Sequence, residues 1–177
     1  MADKSKVAFY IGRFQPPHKG HIYAMQHILK EVKELVIGIG SAQYSHDLMN
    51  PFTTGERYTM LRLALDEAKI KRSRYAIFPV ADTENHSVWV AQLLSITPKF
   101  EVIYSNDPLT SRLLKEAKFQ IRKVPFFERK RLNATAVRKK ILENETWDEL
   151  VPSTVAKYIR QIGGVERIRD LAKFDRA

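Results

Sequence analysis

Residues 35–40 read Leu-Val-Ile-Gly-Ile-Gly, an apolar run with no polar alternation. A strand with one wet face alternates, so an unbroken run belongs to a strand covered on both faces, the situation of a parallel sheet with helices above and below. The rest of the chain meets that demand, because strand-like runs and helical patterns alternate as far as residue 124. An opening strand is expected at 7–11, a helix at about 21–34 and, after residues 35–40, a second helix ending near residue 69. Thr53-Thr54-Gly55-Glu56 reads as a capping box that starts this second helix, with Asn50-Pro51 marking the turn before it. Further strands are expected at 75–80, 101–105 and 119–124, the last alternating like an edge strand. Helices are expected around 88–94, stopped before Pro98, and around 109–118.

A polar connection then leads to a helix at about 133–144 and to two more near 152–162 and 165–174, parted by Gly163-Gly164. The fold class that follows is α/β: a Rossmann-like, doubly wound parallel sheet of about five strands with a C-terminal helical subdomain. Residues 1–132 are expected to form the core and 133–177 the helical part of the same domain. A chain of 177 residues with 44% apolar content is long enough for one sizeable core.

The absence of cysteine excludes a disulfide framework and a zinc–thiolate site. The opening Met-Ala-Asp-Lys-Ser-Lys leads into a five-residue apolar run, too short for a signal-peptide core or a membrane span. The expected location is cytoplasmic, with no membrane partner. A formal charge of +10, from 30 Lys and Arg against 20 Asp and Glu, raises the question of nucleic acid. Basic residues are densest at 69–74, 129–131 and 138–140. The first stretch reads as a solvated turn between a helix and a strand, and the other two flank a candidate phosphate site. Without aromatic interleaving, nucleic acid is not expected as the main partner.

That phosphate site begins at residues 12–21, Gly-Arg-Phe-Gln-Pro-Pro-His-Lys-Gly-His, which follow the first strand and open the first helix. A helix N-terminus offers unpaired N–H groups and partial positive charge, which suits phosphate. His18, His21, Arg13 and Lys19 add donors, and Gly20 is expected to let a phosphate approach the backbone. Residues 133–138 supply a second cradle through helix N–H groups, the Thr135 hydroxyl and Arg138; Asn133 and Thr135 also fit ordinary helix capping. Ligands in doubly wound sheets bind at the carboxyl ends of strands, so the turns after the first three strands are expected to share one crevice with the helix that begins at Asn133.

Two phosphate cradles without an evident base fit adenylyl transfer. The attacking phosphate is already anionic, so the protein has to align two anions and neutralise charge as pyrophosphate leaves. In this scheme His18 and His21 donate to the bridging and α-phosphate oxygens, while Arg13 and Arg138 hold the β- and γ-phosphates. Magnesium is expected on the triphosphate, since no Asp/Glu cluster suggests a protein metal site.

The spacing His18-x-Gly20-His21 resembles the signature of the His-x-Gly-His nucleotidyltransferase superfamily. Further pieces follow in order and are similar to the archaeal type of nicotinamide-nucleotide adenylyltransferase: Gly40-Ser41-Ala42-Gln43, Asn50-Pro51-Phe52-Thr53-Thr54-Gly55-Glu56-Arg57, Pro79-Val80-Ala81-Asp82 with Trp89-Val90, the Asn-Asp-Pro-Leu turn at residue 106, Thr135-Ala136-Val137-Arg138, and Gly164-Val165-Glu166-Arg167-Ile168. The resemblance implies the reaction of nicotinamide mononucleotide (NMN) with ATP to give NAD and pyrophosphate, and a homohexamer. It implies an ATP site of Gly12, Arg13, His18, Lys19, His21, Asn133, Thr135 and Arg138, and an NMN site of Phe14, Ser41, Asp82, His86 and Trp89. Trp89 would stack on the cationic pyridinium ring, although a Trp in an amphipathic helix equally reads as core. Asp82 would hold the carboxamide or ribose, or act as a helix N-cap.

Three positions depart from the family pattern. Met49 stands where relatives usually have Arg, so a triphosphate contact is missing or replaced by Lys19 or Arg57. Asn133-Ala134 replaces a Ser-Gly. His86 replaces an Asn beside the nicotinamide, which bears on discrimination between the amide and acid forms of the acceptor. Two rival readings are a transferase acting on another phosphate acceptor, such as phosphopantetheine or a cytidylyl acceptor, and a non-enzymatic basic nucleic-acid-binding protein. No Nudix-type extension follows residue 177, and a fused hydrolase is not expected.

Overall fold

The computed structural model describes residues 6–125, 127–128 and 130–174. Strands β1 (Val7–Gly12), β2 (Glu34–Ile39), β3 (Tyr75–Pro79), β4 (Val102–Tyr104) and β5 (Gln120–Arg122) form one parallel sheet in the order β3-β2-β1-β4-β5. The helices are α1 (Lys19–Glu31), α2 (Thr54–Glu67), α3 (His86–Ile96), α4 (Pro108–Glu116), α5 (Ala134–Leu142), α6 (Ser153–Gln161) and α7 (Gly164–Phe174), with one-turn 3-10 helices at Arg72–Arg74 and Asp148–Leu150. The chain divides into two compact units. One takes the segment ending at Gly12, Ala24–Ala42 and Lys71–Pro125; the other takes Arg13–Tyr23, Gln43–Ile70 and the described residues after Pro125.

The first unit contains the sheet. Leu35, Val36, Ile37 and Ile39 of β2 are wholly buried, as the unbroken apolar run requires. Phe9 of β1 stacks on Phe100 at 4.9 Å, and the two join Val36, Val80, Trp89, Leu93, Ile103 and Leu114 in one apolar cluster. β5 is an edge strand with an exposed Gln120 and half-buried Ile121 and Arg122, in line with its alternating sequence. The strand order reverses between β1 and β4, so the chain leaves the sheet at Gly12 from the switch point.

Three local expectations are corrected by the structure. α1 begins at Lys19, two residues earlier than its apolar pattern suggests, for a reason that lies in the site described below. Arg74 is not part of a wholly solvated turn: its guanidinium donates to the carbonyls of Leu29, Val32 and Lys33 at 2.8, 2.9 and 2.5 Å and closes the C-terminal end of α1. The N-cap of α3 is Asn85 rather than Asp82, its side chain accepting from Ser87 N at 3.0 Å.

The second unit is helical. The capping box at the start of α2 is formed as read: Thr53 Oγ1 accepts from Glu56 N at 3.2 Å, and Glu56 Oε2 accepts from Thr53 N at 2.8 Å. Arg167 of α7 then grips the same carboxylate with both guanidinium nitrogens, at 2.7 and 2.8 Å. At the other end of α2, Glu67 accepts from Ser153 N, Thr154 N and Thr154 Oγ1 at 3.1, 2.8 and 2.7 Å. It thereby caps α6, whose own N-cap residue, Pro152, has no side-chain oxygen to offer. Gly163 adopts a left-handed φ of 66° between α6 and α7. A Cβ on Gly164 would come within 2.8 Å of the Phe52 ring and 3.0 Å of the Ile159 carbonyl. Among the described residues no helix is long and apolar enough to cross a membrane.

Because Glu67 supplies the cap that α6 lacks, Glu67→Ala is expected to lower the unfolding free energy by about 1 kcal/mol, read as a shift of the urea midpoint at unchanged slope.

Candidate active site

The turn that leaves β1 enters α1 through its two histidines. His18 is the residue before the helix; its backbone N–H donates to Nδ1 of His21 at 3.2 Å, while His21 N donates back to His18 O at 2.9 Å. The His21 side chain thus supplies the reach-back half of a capping box, with an imidazole rather than Glu or Gln at the third helical position, while the return bond is made by the His18 main-chain carbonyl instead of a side chain. The spacing is thereby dictated, since only the residue three along can reach back to the capping N–H. It also starts α1 at Lys19 and puts His21 in its first turn. Since Nδ1 of His21 accepts, the proton of the neutral ring sits on Nε2, which is then a donor.

The two imidazole centroids are 3.6 Å apart. A Cβ on Gly20 would meet Nδ1 and Cε1 of His18 at 3.0 and 3.1 Å. The space left by the missing side chain is therefore filled by the His18 ring, a correction to the expectation that it admits a phosphate. Phe14, 1% exposed and at φ 52°, packs edge-on against His21 at 4.7 Å. Burial lowers the His18 pKa to about 4, and burial together with the neighbouring His18 charge holds that of His21 well below its usual value. Both rings are neutral at pH 7, and Nδ1 of His18 is buried without a hydrogen-bond partner among the described residues.

The second cradle is the N-terminus of α5. Asn133 is its cap, accepting from Ala136 N at 2.8 Å. Arg138, one turn on and only 8% exposed, donates Nη1 to the Gln15 carbonyl at 2.8 Å. Burial, then the like charge of Arg13, lowers its pKa, and Asp47 opposes that shift. Met49 Sδ lies 4.0 Å from its other terminal nitrogen. Arg57, proposed from the sequence as a substitute triphosphate ligand, is 0% exposed and donates to the carbonyls of Arg13 and Tyr44 and to Thr54 Oγ1. It braces the turn from within and presents no head group to a ligand.

Arg13, Phe14, Gln15, His18, His21, Ala134, Thr135 and Arg138 enclose a cavity of about 220 Å3. Two guanidiniums, two neutral imidazoles and no carboxylate line it, with the positive end of α5 at its wall, a lining whose electrostatics favour negative charge. Of the residues expected for ATP, the structure gathers Arg13, His18, His21, Thr135 and Arg138 here. Gly12, Lys19 and Asn133 are not among the lining residues: Gly12 ends β1 and Asn133 is occupied with capping. Gln15 and Ala134 carry no signal in the sequence beyond their position in the two motifs. Of the residues expected for the acceptor, Phe14 supports His21. Ser41, Asp82, His86 and Trp89 lie in the sheet unit. Ser41 (φ 49°) and Asp82 flank loops joined by Ala42 N to Val80 O at 3.1 Å, His86 is exposed at the start of α3, and Trp89 is 7% exposed within the apolar cluster.

Comparison with known proteins adds names to this geometry. The cytidylyltransferase-like family matches residues 9–151. A nicotinamide-nucleotide adenylyltransferase of Pyrococcus furiosus is 47% identical over 168 residues, 94% of this chain and 89% of that protein. One of Pyrobaculum aerophilum is 48% identical over 93% of each. Among solved structures, a bifunctional NMN adenylyltransferase/ADP ribose pyrophosphatase from Francisella tularensis superposes with a TM-score of 0.79 at 22% identity, a likeness of fold. It covers 97% of this chain, which spans about half the length of that protein. The same protein is also known complexed with AMP and a manganese ion.

The depressed histidines make stability depend on pH. The folded state keeps His18 neutral down to about pH 4, while the unfolded chain takes up its proton below about pH 6.5, so the unfolded state binds more protons in that window. The unfolding free energy is expected to fall as pH drops from about 6.5 towards 4, by up to about 3 kcal/mol for His18, and to fall less steeply in His18→Asn. Denaturant titrations across that range check it.

Proposed function

The chain belongs to the cytidylyltransferase-like family of nucleotidyltransferases, and from that premise we propose that it transfers the adenylyl group of ATP to the 5′-phosphate of NMN, giving NAD and pyrophosphate, as its near relatives are named for doing. The observation that supports this most directly is the anion cavity with two neutral imidazoles against two guanidiniums.

In this reading the acceptor phosphate attacks the α-phosphorus in line. It is anionic at neutral pH, and no side chain has to remove a proton. The Nε2–H of His21, its tautomer fixed by the His18 N–H, donates to an α-phosphate oxygen, and His18 beside it donates to the bridging oxygen. A neutral donor suits this task because it is already in place and stabilises the charge that gathers on the equatorial oxygens of the transferring group and on the leaving oxygen. Arg13, exposed, and Arg138, held on the Gln15 carbonyl, take the β- and γ-phosphates. The N–H groups at the start of α5, with Thr135, complete the cradle.

ATP enters as its magnesium complex, which supplies charge neutralisation on the departing pyrophosphate. Among the described residues no group of three or more His, Asp or Glu side chains could hold a metal, so no ligand in the chain is assigned to it and no step is routed through it. For the acceptor, the family resemblance supports Ser41, Asp82, His86 and Trp89 with Phe14. It also supports a homohexamer acting in the cytoplasm.

Purified protein with ATP and NMN is expected to form NAD, and with phosphopantetheine in place of NMN to form no adenylylated product; the reverse result overturns the reading. His21→Ala should lower kcat by about 100-fold or more. His21→Gln, which retains a side-chain acceptor for the cap, should lose turnover to a similar degree while keeping wild-type thermal stability.

A further inference from the structure

The turn between β1 and α1 carries Arg13, His18 and His21, and its middle is held by side chains engaged with main-chain groups. Gln15, at its centre, is 1% exposed, and both ends of its amide are engaged: Nε2 donates to the Phe52 carbonyl at 3.0 Å and Oε1 accepts from the Phe52 N–H at 2.9 Å. One side chain thus reproduces the paired N–H and C=O exchange of two antiparallel residues. The Gln15 main-chain carbonyl accepts from Arg138 Nη1 at 2.8 Å. Two residues earlier the turn is gripped again from the same direction, by Arg57 Nη1 on the Arg13 carbonyl at 2.9 Å.

The segment doing the gripping is itself immobilised. Phe52 is 0% exposed and lies against Gly164 at the start of α7, and the next residue is the N-cap of α2. Arg167 of α7 donates to the carbonyl of Pro51 at 3.2 Å and to the Glu56 carboxylate. Arg138 therefore rests on a carbonyl whose position is set through Gln15 by the opening of α2.

We infer that Gln15 is a positioning residue for adenylyl transfer: its amide, locked on the Phe52 backbone, fixes the carbonyl that aims the Arg138 guanidinium at the triphosphate. This rests on the functional reading above. The chemistry of the site selects glutamine. The position needs one donor and one acceptor at the end of a two-carbon stem, so asparagine is too short. A glutamate carboxylate would keep the acceptor for the Phe52 N–H but set a second acceptor against the Phe52 carbonyl, and would bring negative charge to an anion cavity. Both polar atoms of the Gln15 side chain are engaged by the Phe52 backbone, so its effect passes through the main-chain carbonyl to Arg138.

The test is a double-mutant cycle read both in NAD formation and in calorimetric ATP binding. Gln15→Ala is expected to lower kcat and weaken ATP binding by about 10- to 100-fold in the wild-type background. In the Arg138→Ala background the same change should cost less than about threefold, because the guanidinium it positions is gone. A second variant, Gln15→Glu, regains the donor when its carboxyl is protonated. Its rate relative to wild type should therefore rise as pH falls from about 8 to about 5.5, the ionisations common to both proteins cancelling in the ratio. Equal losses in the two backgrounds, or a Gln15→Glu rate at constant ratio to wild type, overturn the proposal. If the wild-type protein makes no NAD, the functional reading fails, and the ATP-binding cycle alone decides the role of Gln15.

Discussion

A single hydrogen bond, from the His18 backbone N–H to Nδ1 of His21, organises the site. It caps the first turn of α1, holds the His21 ring 3.6 Å from that of His18 and makes Nε2 of His21 the donor of the ring. Glutamate at the same position would cap the helix equally well, but it would put an acceptor where the proposed function needs a donor. The imidazole satisfies the helix and the ligand at once because its two nitrogens have opposite roles in the neutral ring. Burial protects that arrangement: with His18 and His21 both pushed towards neutrality, neither becomes a charged neighbour of the other at physiological pH.

Around this bond the helical unit builds a support of short polar links. Thr53 and Glu56 cap α2, Arg167 holds Glu56 and Pro51, Phe52 holds Gln15, and Gln15 and Arg57 hold the turn. Polar groups that are buried must be paired, and here the pairing transmits position from α7 and α2 to the residues that face the cavity. Arg57 shows the principle most clearly. It carries positive charge beside an anion site, yet its guanidinium is directed at main-chain carbonyls, so what it contributes is the course of the backbone at Arg13.

The cavity itself is positively biased without a metal-binding cluster among the described residues. Arg138 is held in spite of burial and of the like charge of Arg13. Two such charges without a carboxylate among the lining residues repel one another, so in the proposed function the favourable electrostatics belong to the state with an anion bound.

The sequence by itself determined what depends on near neighbours. The buried strand at 35–40, the alternation that requires a parallel sheet, the capping box at Thr53–Glu56 and the His-x-Gly-His turn are all written within a few residues of one another, because periodicity and capping are local. The tertiary structure alone decided which residues share a cavity and which merely hold others. Gln15 meets Arg138 across 123 residues and Phe52 across 37. No local pattern distinguishes that glutamine from a solvated one, Arg57 from a phosphate ligand, or Gly20 as room for a ring from Gly20 as room for a phosphate. Trp89 belongs with these: its helical pattern did not say how far the ring is buried, and only the packing of α3 against the sheet set it at 7% exposure. The reason is common to all four. Burial and partner choice arise from surfaces brought together by the fold, and a residue type constrains what it can do there without saying which partner it will meet.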